Sequence, residues 1–482
     1  MVIKMNIKTI WTDEIKRDDI KILNKDINVD VLIIGGGITG LSTAYHLINS
    51  GLKVCLVERD IIGCGTTSKT TGKITYLQDL IYQKISLYNN KDKAKIYLKS
   101  QKEAISIIKN IIKKHNISCD FLKVNSYVYT NNNKNIKKLT KEYQFFKDNN
   151  IKINSGEKLP IDIKSKFYIS VNDTYVFHPM KYLNKLKQIF EENDIKVYEN
   201  TNVIKCEKNS DSYLCKTDNN IIKAKKVVFA SHYPYFTVPF LMPIKSYIEK
   251  SYIVATKVDN KIKVSGITND KPNFSFRSHS DKQNNYLICL GKSHNLRDEK
   301  DDNKMFNNLC KENKIINNPL YEWTNHDIIT SDYLPYIGKI NKSDNLFIAT
   351  GYNTWGMTNG TIAGKVISDL IMNKNNEYVD LFNPNRDMNL GKIINTPNNI
   401  YSSIKAILKT KIKTYNNNTV YKIQDGKNID TYNNYHIKNT CPHLKCGLIF
   451  NNKEKTWDCP CHGSRFDLDG KCINGPSKYD IK

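Results

Sequence analysis

The stretch VDVLIIGGGITG (29–40) decides how this chain of 482 residues begins to fold. Residues 29–34 form a continuous apolar run that stops at three glycines, as a buried parallel strand does. LSTAYHLINSG (41–51) then has the apolar spacing of a helix, and LKVCLVERD (52–60) is typical of a second buried strand. Together these segments predict a βαβ unit that opens a doubly wound α/β sheet.

The glycines of this stretch predict a dinucleotide-binding turn. Gly35, Gly37 and Gly40 follow the G-x-G-x-x-G pattern, in which the second glycine lets backbone approach a pyrophosphate. Glu58 ends the second strand, 23 positions after Gly35, where a carboxylate can accept the ribose hydroxyls. The glycines alone also fit a tight turn without a ligand, and they do not distinguish NAD from FAD.

Two further segments carry a family resemblance over roughly residues 28 to 372. GCGTTSKTTGKIT (63–75) follows the second strand, and DYLPYIG (332–338) precedes NLFIATGYNTWGMTNGTIAG (345–364). The chain thereby resembles FAD-dependent amino-acid and amine oxidoreductases of the glycine oxidase and D-amino-acid oxidase type. In that family the first segment wraps the flavin, and the later segment closes over the isoalloxazine ring. The resemblance implies FAD contacts at Gly35, Gly37, Ile38, Thr39, Gly40, Glu58, Arg59, Thr66, Thr67, Ser68, Gly72, Lys73, Thr75, Val203, Gly351, Tyr352, Trp355, Gly356, Met357 and Thr358.

Soft metal ligands crowd the end of the chain. CPHLKC (441–446) and CPCHGSRFD (459–467) place four cysteines and two histidines within 22 positions. Cys441 pairs with His443 and Cys459 with His462, so each pair mixes a thiolate with an imidazole, whereas structural zinc sites usually keep like ligands together. Two thiolates on one iron and two imidazoles on the other is the arrangement of a Rieske [2Fe–2S] centre, with zinc as the alternative.

The sequence around these ligands resembles that of Rieske domains of the cytochrome bc type. That resemblance implies a disulfide between Cys446 and Cys461 and a covering loop at Gly475 and Pro476. The high-potential pattern continues with a serine and a tyrosine, whereas this chain has Ser464 and Phe466. Loss of one donor predicts a potential below the top of the Rieske range, which is about +300 mV.

Composition limits the classes of partner. The net charge of +25 comes almost entirely from lysine that is spread along the chain together with Asn and Ile, as in NNNKNIKKLTK (131–141). Nucleic-acid recognition usually recruits arginine, so we expect no nucleic-acid partner. No apolar run reaches the about 20 residues of a membrane span, and no secretory signal is evident, which predicts a cytoplasmic protein. Seven scattered cysteines, Cys206 and Cys215 among them, are expected to be ordinary thiols of a reducing compartment.

The expected domains follow from these motifs. An N-terminal segment (1–27) precedes an FAD-dependent oxidoreductase domain (28–372), a linker (373–400) and a small all-β Rieske domain (401–482). Within the second, the FAD-binding parts are about 28–87, 166–245 and 322–372. An interleaved α+β substrate lobe takes about 88–165 and 246–321.

The combined motifs predict an enzyme that oxidises a C–N bond of a small amine or amino acid by hydride transfer to FAD. Electrons would pass to the [2Fe–2S] cluster and on to an unidentified partner protein. The alternative is an electron-transfer or redox-sensing protein without small-molecule turnover. Arg277 in FSFR and His294 in GKSH are weak candidates for substrate binding, with a surface role equally compatible.

Overall fold

The computed structural model of the protein describes residues 8–13, 20–234, 245–281, 283–298, 300–341, 345–386 and 440–481. Its strands are β1 (Ile27–Ile34), β2 (Val54–Val57), β3 (Lys73–Ile74), β4 (Leu122–Thr130), β5 (Asn154–Gly156), β6 (Phe167–Val176), β7 (Lys196–Tyr198), β8 (Val203–Asn209), β9 (Ser212–Thr217), β10 (Ile221–Phe229), β11 (Ser246–Val258), β12 (Val264–Thr268), β13 (Phe274–Ser280), β14 (Asn285–Asn295), β15 (Tyr321–Thr330), β16 (Tyr336–Lys339), β17 (Leu346–Thr350), β18 (Ile449–Asn451), β19 (Thr456–Asp458), β20 (Arg465–Phe466) and β21 (Cys472–Asn474). Its α-helices are α1 (Ile38–His46), α2 (Ile81–Tyr88), α3 (Lys91–Lys114), α4 (Asn133–Asp148), α5 (Pro179–Glu191), α6 (Asp302–Glu312), α7 (Gly356–Ile371) and α8 (Val379–Phe382).

The first sheet is the predicted doubly wound one. Its strands lie in the order β16-β17-β10-β1-β2-β7, and β8 and β9 extend it beside β10. The pairs formed by β1 with β2 and β10, by β2 with β7, and by β10 with β17 are all parallel. Strand order reverses at β1, so the carboxyl ends of β1 and β10 flank the crevice where such sheets bind ligands.

Helices α1 and α7 cross closely over this sheet because small residues meet there. A Cβ on Gly360 would lie 2.7 Å from Ile38, and a Cβ on Gly364 would lie 2.3 Å from the Ser42 hydroxyl. The Ser42 hydroxyl also donates to the Thr361 carbonyl at 2.9 Å. This crossing holds the start of α7 beside the glycine turn, since both helices begin at the same edge of the sheet.

The second sheet has nine strands in the order β15-β11-β14-β13-β12-β4-β6-β3, with β5 beside β6. It holds the strands of the predicted substrate lobe. Strands β3, β6 and β15, which fall largely in the ranges expected to bind FAD, also join it. Strand β15 is buried on both faces, so its sequence does not reveal which sheet it joins.

The predicted linker does not begin at residue 373. Residues 373–386 pack on the first sheet, where Arg386 bonds both carboxylate oxygens of Asp332 at 2.7 and 2.8 Å. Its guanidinium also stacks over the ring of Tyr336, 4.1 Å from the centroid. The rest of the predicted linker (387–400) and the start of the predicted Rieske domain (401–439) lie outside the described residues.

The third sheet is small, antiparallel and formed by β18-β19-β20-β21. The mixed α/β architecture with a small all-β C-terminal unit confirms the predicted fold class. Part of the predicted N-terminal segment is also packed, since Trp11 is fully buried and its Nε1 donates to the Thr70 carbonyl at 2.7 Å. Among the helices that the structure describes, none combines the length and apolar character of a membrane span.

Candidate functional site

The turn between β1 and α1 leaves no room for side chains at two glycines. Gly35 has a φ of +114°, and a Cβ on it would lie 2.6 Å from the Ala230 carbonyl oxygen. A Cβ on Gly40 would lie 1.9 Å from the Gly35 carbonyl oxygen. The turn therefore brings bare backbone and the first N–H groups of α1 to the edge of a pocket, as binding of a pyrophosphate requires.

Glu58 lines the same pocket and braces the turn. Its carboxylate accepts hydrogen bonds from the backbone N–H groups of Gly36 at 2.7 Å and Asp60 at 2.9 Å. Burial raises the pKa of Glu58, while these two donors and the charge of Arg59 oppose the rise. Backbone N–H groups of the glycine turn and of the segment after β2 thus fix the carboxylate of Glu58, the predicted ribose-binding acid.

A pocket lies along the carboxyl ends of β1 and β10 and collects most of the predicted FAD contacts. Those that line it are Gly35, Gly37, Ile38, Thr39, Glu58, Arg59, Thr66, Thr67, Val203, Tyr352, Gly356 and Met357.

Four buried polar atoms of this pocket have no hydrogen-bond partner among the described residues. They are Thr66 Oγ1, Ser231 Oγ, Tyr233 OH and Asn325 Oδ1. An unsatisfied buried polar atom costs about 1–3 kcal/mol, so such a group of them indicates a polar ligand. The glycine turn, Glu58 and the unpaired atoms of Thr66, Ser231 and Tyr233 together fit FAD.

The other predicted contacts lie outside the pocket lining: Gly40, Ser68, Gly72, Lys73, Thr75, Gly351, Trp355 and Thr358. Lys73 illustrates the reason, because its ammonium turns toward the second sheet and donates to the Gly266 carbonyl at 2.7 Å and the Ser275 hydroxyl at 2.5 Å. Burial and, to a lesser extent, the charge of Arg277 together lower the pKa of Lys73 to about 7.

A cavity of about 560 Å³ adjoins the pocket. The two spaces share Thr70, Thr71, Leu290, Thr354, Gly356 and Met357. Lys73 and Trp355 line the cavity, as do several charged groups of the second sheet and of α2. The cavity therefore opens where α7 begins, beside the end of the pocket at which the resemblance implies the isoalloxazine ring.

The two weak candidates for substrate binding lie elsewhere. Arg277 is fully buried, and its guanidinium donates to the carbonyls of Thr71 at 2.7 Å, Phe177 at 2.6 Å and Ser278 at 3.0 Å. It ties β13 to the neighbouring chain segments and lines neither space. His294 also lines neither space and stacks on Tyr252 at 5.7 Å. Sequence alone could not reveal that these polar groups serve the fold.

The four predicted metal ligands come together at one end of the third sheet. The rings of His443 and His462 lie 5.1 Å apart, and the buried thiols of Cys441 and Cys459 are near neighbours. The Nδ1 of His443 is buried without a partner among the described residues. Paired sulfurs beside paired imidazoles, one with a bare ring nitrogen, fit the ligand set of a Rieske cluster.

Two disulfides are present in the described residues. Cys446 and Cys461 are joined by a disulfide, as the resemblance implies. This bond links the two ligand loops, 441–446 and 459–464, which carry the predicted metal ligands. Cys206 and Cys215 are also joined. The expectation that these two are ordinary thiols is therefore wrong, because β8 and β9 pair in a register that puts the two residues opposite each other.

Strands β11 and β15 lie between the cavity and the third sheet, whereas Ile473 and Asn474 of β21 line the pocket directly. On one face, Glu249 and Ser251 line the cavity and Asn325 and Asp327 line the pocket. The opposite face meets the third sheet and its loops, since side chains alternate along a strand. There a Cβ on Gly463 would touch Ile248 at 3.0 Å.

A buried ionic network joins this opposite face to the third sheet. Arg465 bonds Asp458 at 2.9 Å and also pairs with Glu454. Glu454 accepts a hydrogen bond from the Thr324 hydroxyl at 2.5 Å, and Lys250 lies 3.6 Å from Asp458. Because each charge is compensated within the contact, the network fixes the orientation of the two sheets.

A second contact runs from the glycine-turn region to the loop at 472–478. Arg59 donates to the Ser477 carbonyl at 3.0 Å and lies 3.3 Å from the sulfur of Cys472. The predicted FAD contact Arg59 thus also binds the loop beside the metal ligands. Close by, the ring of His462 lies 5.5 Å from the ring of Tyr233, which lines the pocket.

Comparison with known proteins agrees with this geometry. The sequence profile of the family described as FAD dependent oxidoreductase matches residues 30–370. The chain belongs to this family. A second profile, that of the Rieske [2Fe-2S] domain, matches residues 411–482. The protein is therefore a flavoprotein oxidoreductase that binds FAD in its larger part and a [2Fe–2S] cluster in its C-terminal domain.

Individual relatives match either the whole chain or its FAD-dependent part. The Bacillus subtilis protein YhfW, named as a Rieske 2Fe-2S iron-sulfur protein, is 29% identical over 98% of this chain and 97% of its own. Glycine oxidase from Geobacillus kaustophilus has a TM-score of 0.62 at 16% identity, covering 75% of this chain and 99% of its own. L-proline dehydrogenase from P. horikoshii has a TM-score of 0.61 at 18% identity, covering 74% and 97%. These two structures share the fold of the FAD-dependent part.

Several residues of this FAD-dependent oxidoreductase were missed by sequence reasoning. Ser231 and Tyr233 line the pocket just after β10, and Asn325, Asp327 and Glu249 face it or the cavity from the second sheet. The position of Ser231 and Tyr233 at a parallel-strand end could have indicated them. No comparable signal marks the other three, because they lie within strands.

Proposed function

We propose that this protein oxidises a C–N bond of a small amine or amino acid and passes the electrons to its own Rieske domain. The observation that carries the proposal is the cavity of about 560 Å³ that meets the FAD pocket at Thr354, Gly356 and Met357. A flavoprotein that only relays electrons needs no such cavity. Glycine oxidase and L-proline dehydrogenase, which share the fold, are named for substrates with such a bond.

When bound, FAD would accept a hydride from the substrate carbon. The chain would hold it with the glycine turn, Glu58 and the unpaired atoms of Thr66, Ser231 and Tyr233. The backbone N–H groups at the start of α7, where Gly356 and Met357 line the pocket, would stabilise the negative charge of the reduced ring, as a helix N-terminus does. The remaining task of the protein is alignment, since hydride transfer from a neutral amine needs little more than a fixed geometry.

The cluster would accept electrons one at a time, held by Cys441, His443, Cys459 and His462. Two features support transfer inside one molecule. His462 and Tyr233 are each 3% exposed, so the contact between the ligand loop and the pocket excludes water. The buried network around Arg465 keeps that contact in place.

The test is an anaerobic titration of the purified holoprotein with a panel of amines and amino acids. We expect at least one of them to bleach the flavin absorbance and to produce the rhombic, low-average-g EPR signal of a reduced Rieske cluster. The matched control is Cys459→Ser, which should bleach with substrate but give no such EPR signal. Bleaching by dithionite or a reductase and by no member of the panel would instead favour a redox-sensing or electron-transfer protein.

A further inference from the structure

Two carboxylates lie side by side where the pocket meets the cavity. Glu249 on β11 is directly opposite Asp327 on β15 in the antiparallel register. Residues opposite each other on one face have Cβ atoms about 4.5–5.5 Å apart, so the side chains are neighbours. Glu249 lines the cavity and Asp327 lines the FAD pocket, which puts the pair across their junction.

No cation of the described residues forms an ion pair with either carboxylate. The titratable groups around the pair are Asp79, Lys84, Tyr247, Lys271 and Tyr333. Lys84 is already engaged with Asp79 at 2.8 Å, and Lys271 is exposed to solvent. Burial raises the pKa of Asp327 to about 7, with the charge of Glu249 adding to the rise, and burial also raises the pKa of Glu249.

A third acceptor beside the pair points to a ligand. Asn325 is 5% exposed and lies on the same face of β15, where its Nδ2 donates to Asp327 at 3.1 Å. Its Oδ1 has no partner among the described residues and lines the pocket. Apart from the Asn325 Nδ2, no donor of the described residues faces these acceptors, so the group is complementary to a ligand that supplies N–H groups.

We propose that Glu249 and Asp327 bind the ammonium group of a cationic amine substrate and accept the proton that it must lose before oxidation. The N–H bond of the ammonium breaks, an O–H bond forms on one carboxylate, and the amine becomes neutral with its lone pair free. A carboxylate with a pKa near neutrality is suited to hold that proton. Asn325 Oδ1 would orient a remaining N–H.

This inference rests on the proposed function and narrows its substrate class. A substrate carboxylate at the junction would meet two negative charges, since like charges at this distance repel. The substrate therefore presents its amine to the pair and keeps any acidic group away from it. An α-amino acid would have to place its carboxylate farther away, toward Lys84 or Lys271.

The experiment is an anaerobic titration of oxidised holoprotein with n-butylamine and, separately, with sodium butyrate, followed by the flavin visible spectrum. We expect n-butylamine to perturb the spectrum and butyrate not to do so at the same concentration. Glu249→Gln and Asp327→Asn should each weaken n-butylamine binding by tenfold or more. Asp259→Asn, an exposed acid at the end of the same strand, removes the same charge and should leave binding unchanged.

The experiment distinguishes a failure of the carboxylate-pair inference from a failure of the proposed function. Three results would overturn the carboxylate-pair inference. The wild type could prefer butyrate, it could bind neither probe, or both variants could bind n-butylamine as the wild type does. If the variants do not fold, the wild-type preference between the two probes still decides it. If no amine of the panel reduces the flavin while n-butylamine binding depends on Glu249, the inference stands and the proposed oxidation fails.

Discussion

At the scale of single residues, the FAD pocket depends on backbone contacts that tolerate no added atom. Gly40 packs against the Gly35 carbonyl so closely that a methyl group there would overlap it at 1.9 Å. The glycine pattern in the sequence indicated this, because each glycine of the motif has a separate steric reason. For Arg59, by contrast, nothing in the sequence indicated that the guanidinium also bonds the loop beside the metal ligands.

Replacing Gly40 with alanine should destabilise the protein and expel FAD. Overpacking of this kind costs about 1–3 kcal/mol, and the turn must move to relieve it. The ratio of flavin to protein absorbance after purification, together with the thermal unfolding midpoint, measures both effects. Gly51→Asn is the matched control, because Gly51 has a φ of +74° with nothing within 4 Å and asparagine tolerates that conformation. Equal FAD content in the two variants would contradict the prediction.

Phe466 is expected to limit the potential of the cluster. Its ring is fully buried in β20, close to the ligand loops. Phe466→Tyr adds a hydroxyl that can stabilise the reduced cluster, and a hydrogen bond worth about 1 kcal/mol corresponds to about 40 mV for one electron. Redox titration followed by EPR should show that increase. Phe450→Tyr, in the same small sheet but away from the ligand loops, should leave the midpoint in place; a lower midpoint in Phe466→Tyr refutes the assignment.

At the scale of secondary-structure elements, one helix is capped by a side chain from another. The carboxylate of Glu142, on α4, accepts hydrogen bonds from the backbone N–H groups of Tyr82 and Gln83, each at 3.1 Å. These are unpaired donors of the first turn of α2, which has no side-chain cap of its own. Burial raises the pKa of Glu142 to about 7, although the hydrogen bonds oppose the rise.

This raised pKa predicts a pH dependence of stability. The folded state holds a proton on Glu142 that the unfolded state releases above its ordinary pKa of 4.5, so the free energy of unfolding falls as pH rises from about 4.5 to 7. Glu142→Gln should remove that slope, and it should lower the stability at pH 5 because the amide nitrogen cannot accept the hydrogen bonds from Gln83. Urea unfolding at pH 5 and pH 7.5 measures it. The half-exposed Glu191, replaced by glutamine, serves as control and should keep the wild-type slope.

Strands β11 and β15 carry no sequence motif, yet they contact both cofactor-binding parts of the protein. Their alternating side chains reach the flavin pocket on one face and the Rieske domain on the other. The sequence SYIEKSYIVATKV of β11 mixes charged, aromatic and aliphatic residues on both faces, so its pattern gave no sign of either role. Only the tertiary structure placed these two neighbouring strands between the cavity and the Rieske domain.

At the scale of the whole molecule, the Rieske domain is docked through buried charges. Arg465 is fully buried against Asp458 and Glu454, and Thr324 and Lys250 extend the network to the second sheet. Removal of one partner from such a network leaves uncompensated charge, which costs about 3–5 kcal/mol. The contact is therefore rigid rather than transient.

Arg465→Met should uncouple the two domains. In the wild type we expect urea to abolish the flavin absorbance and the visible circular dichroism of the cluster in one transition. In the variant the cluster signal should disappear at lower urea than the flavin signal. Lys205→Met, which removes an exposed ion pair with Glu207, controls for the loss of one positive charge. Coincident transitions in the Arg465 variant would argue against a docking role.

The sequence alone determined the two cofactors of this protein. Local patterns predicted the βαβ unit, the glycine turn, the Glu58 acid and the four metal ligands, because each depends on residues close together in the chain. The structure brought all of these into sites that fit their cofactors. The errors arose where a local pattern has no unique tertiary meaning. Arg277 proved to be a structural residue, and residues 373–386 pack against the first sheet.

Tertiary structure decided what no local pattern encodes. Glu249 and Asp327 are 78 positions apart in the chain and become neighbours only through the pairing of β11 with β15. The contact between His462 and Tyr233 likewise joins two domains. Such sites depend on which strands become neighbours and which faces meet. Burial and long-range pairing of the whole chain set that, whereas the cofactor motifs need only the geometry of a single turn.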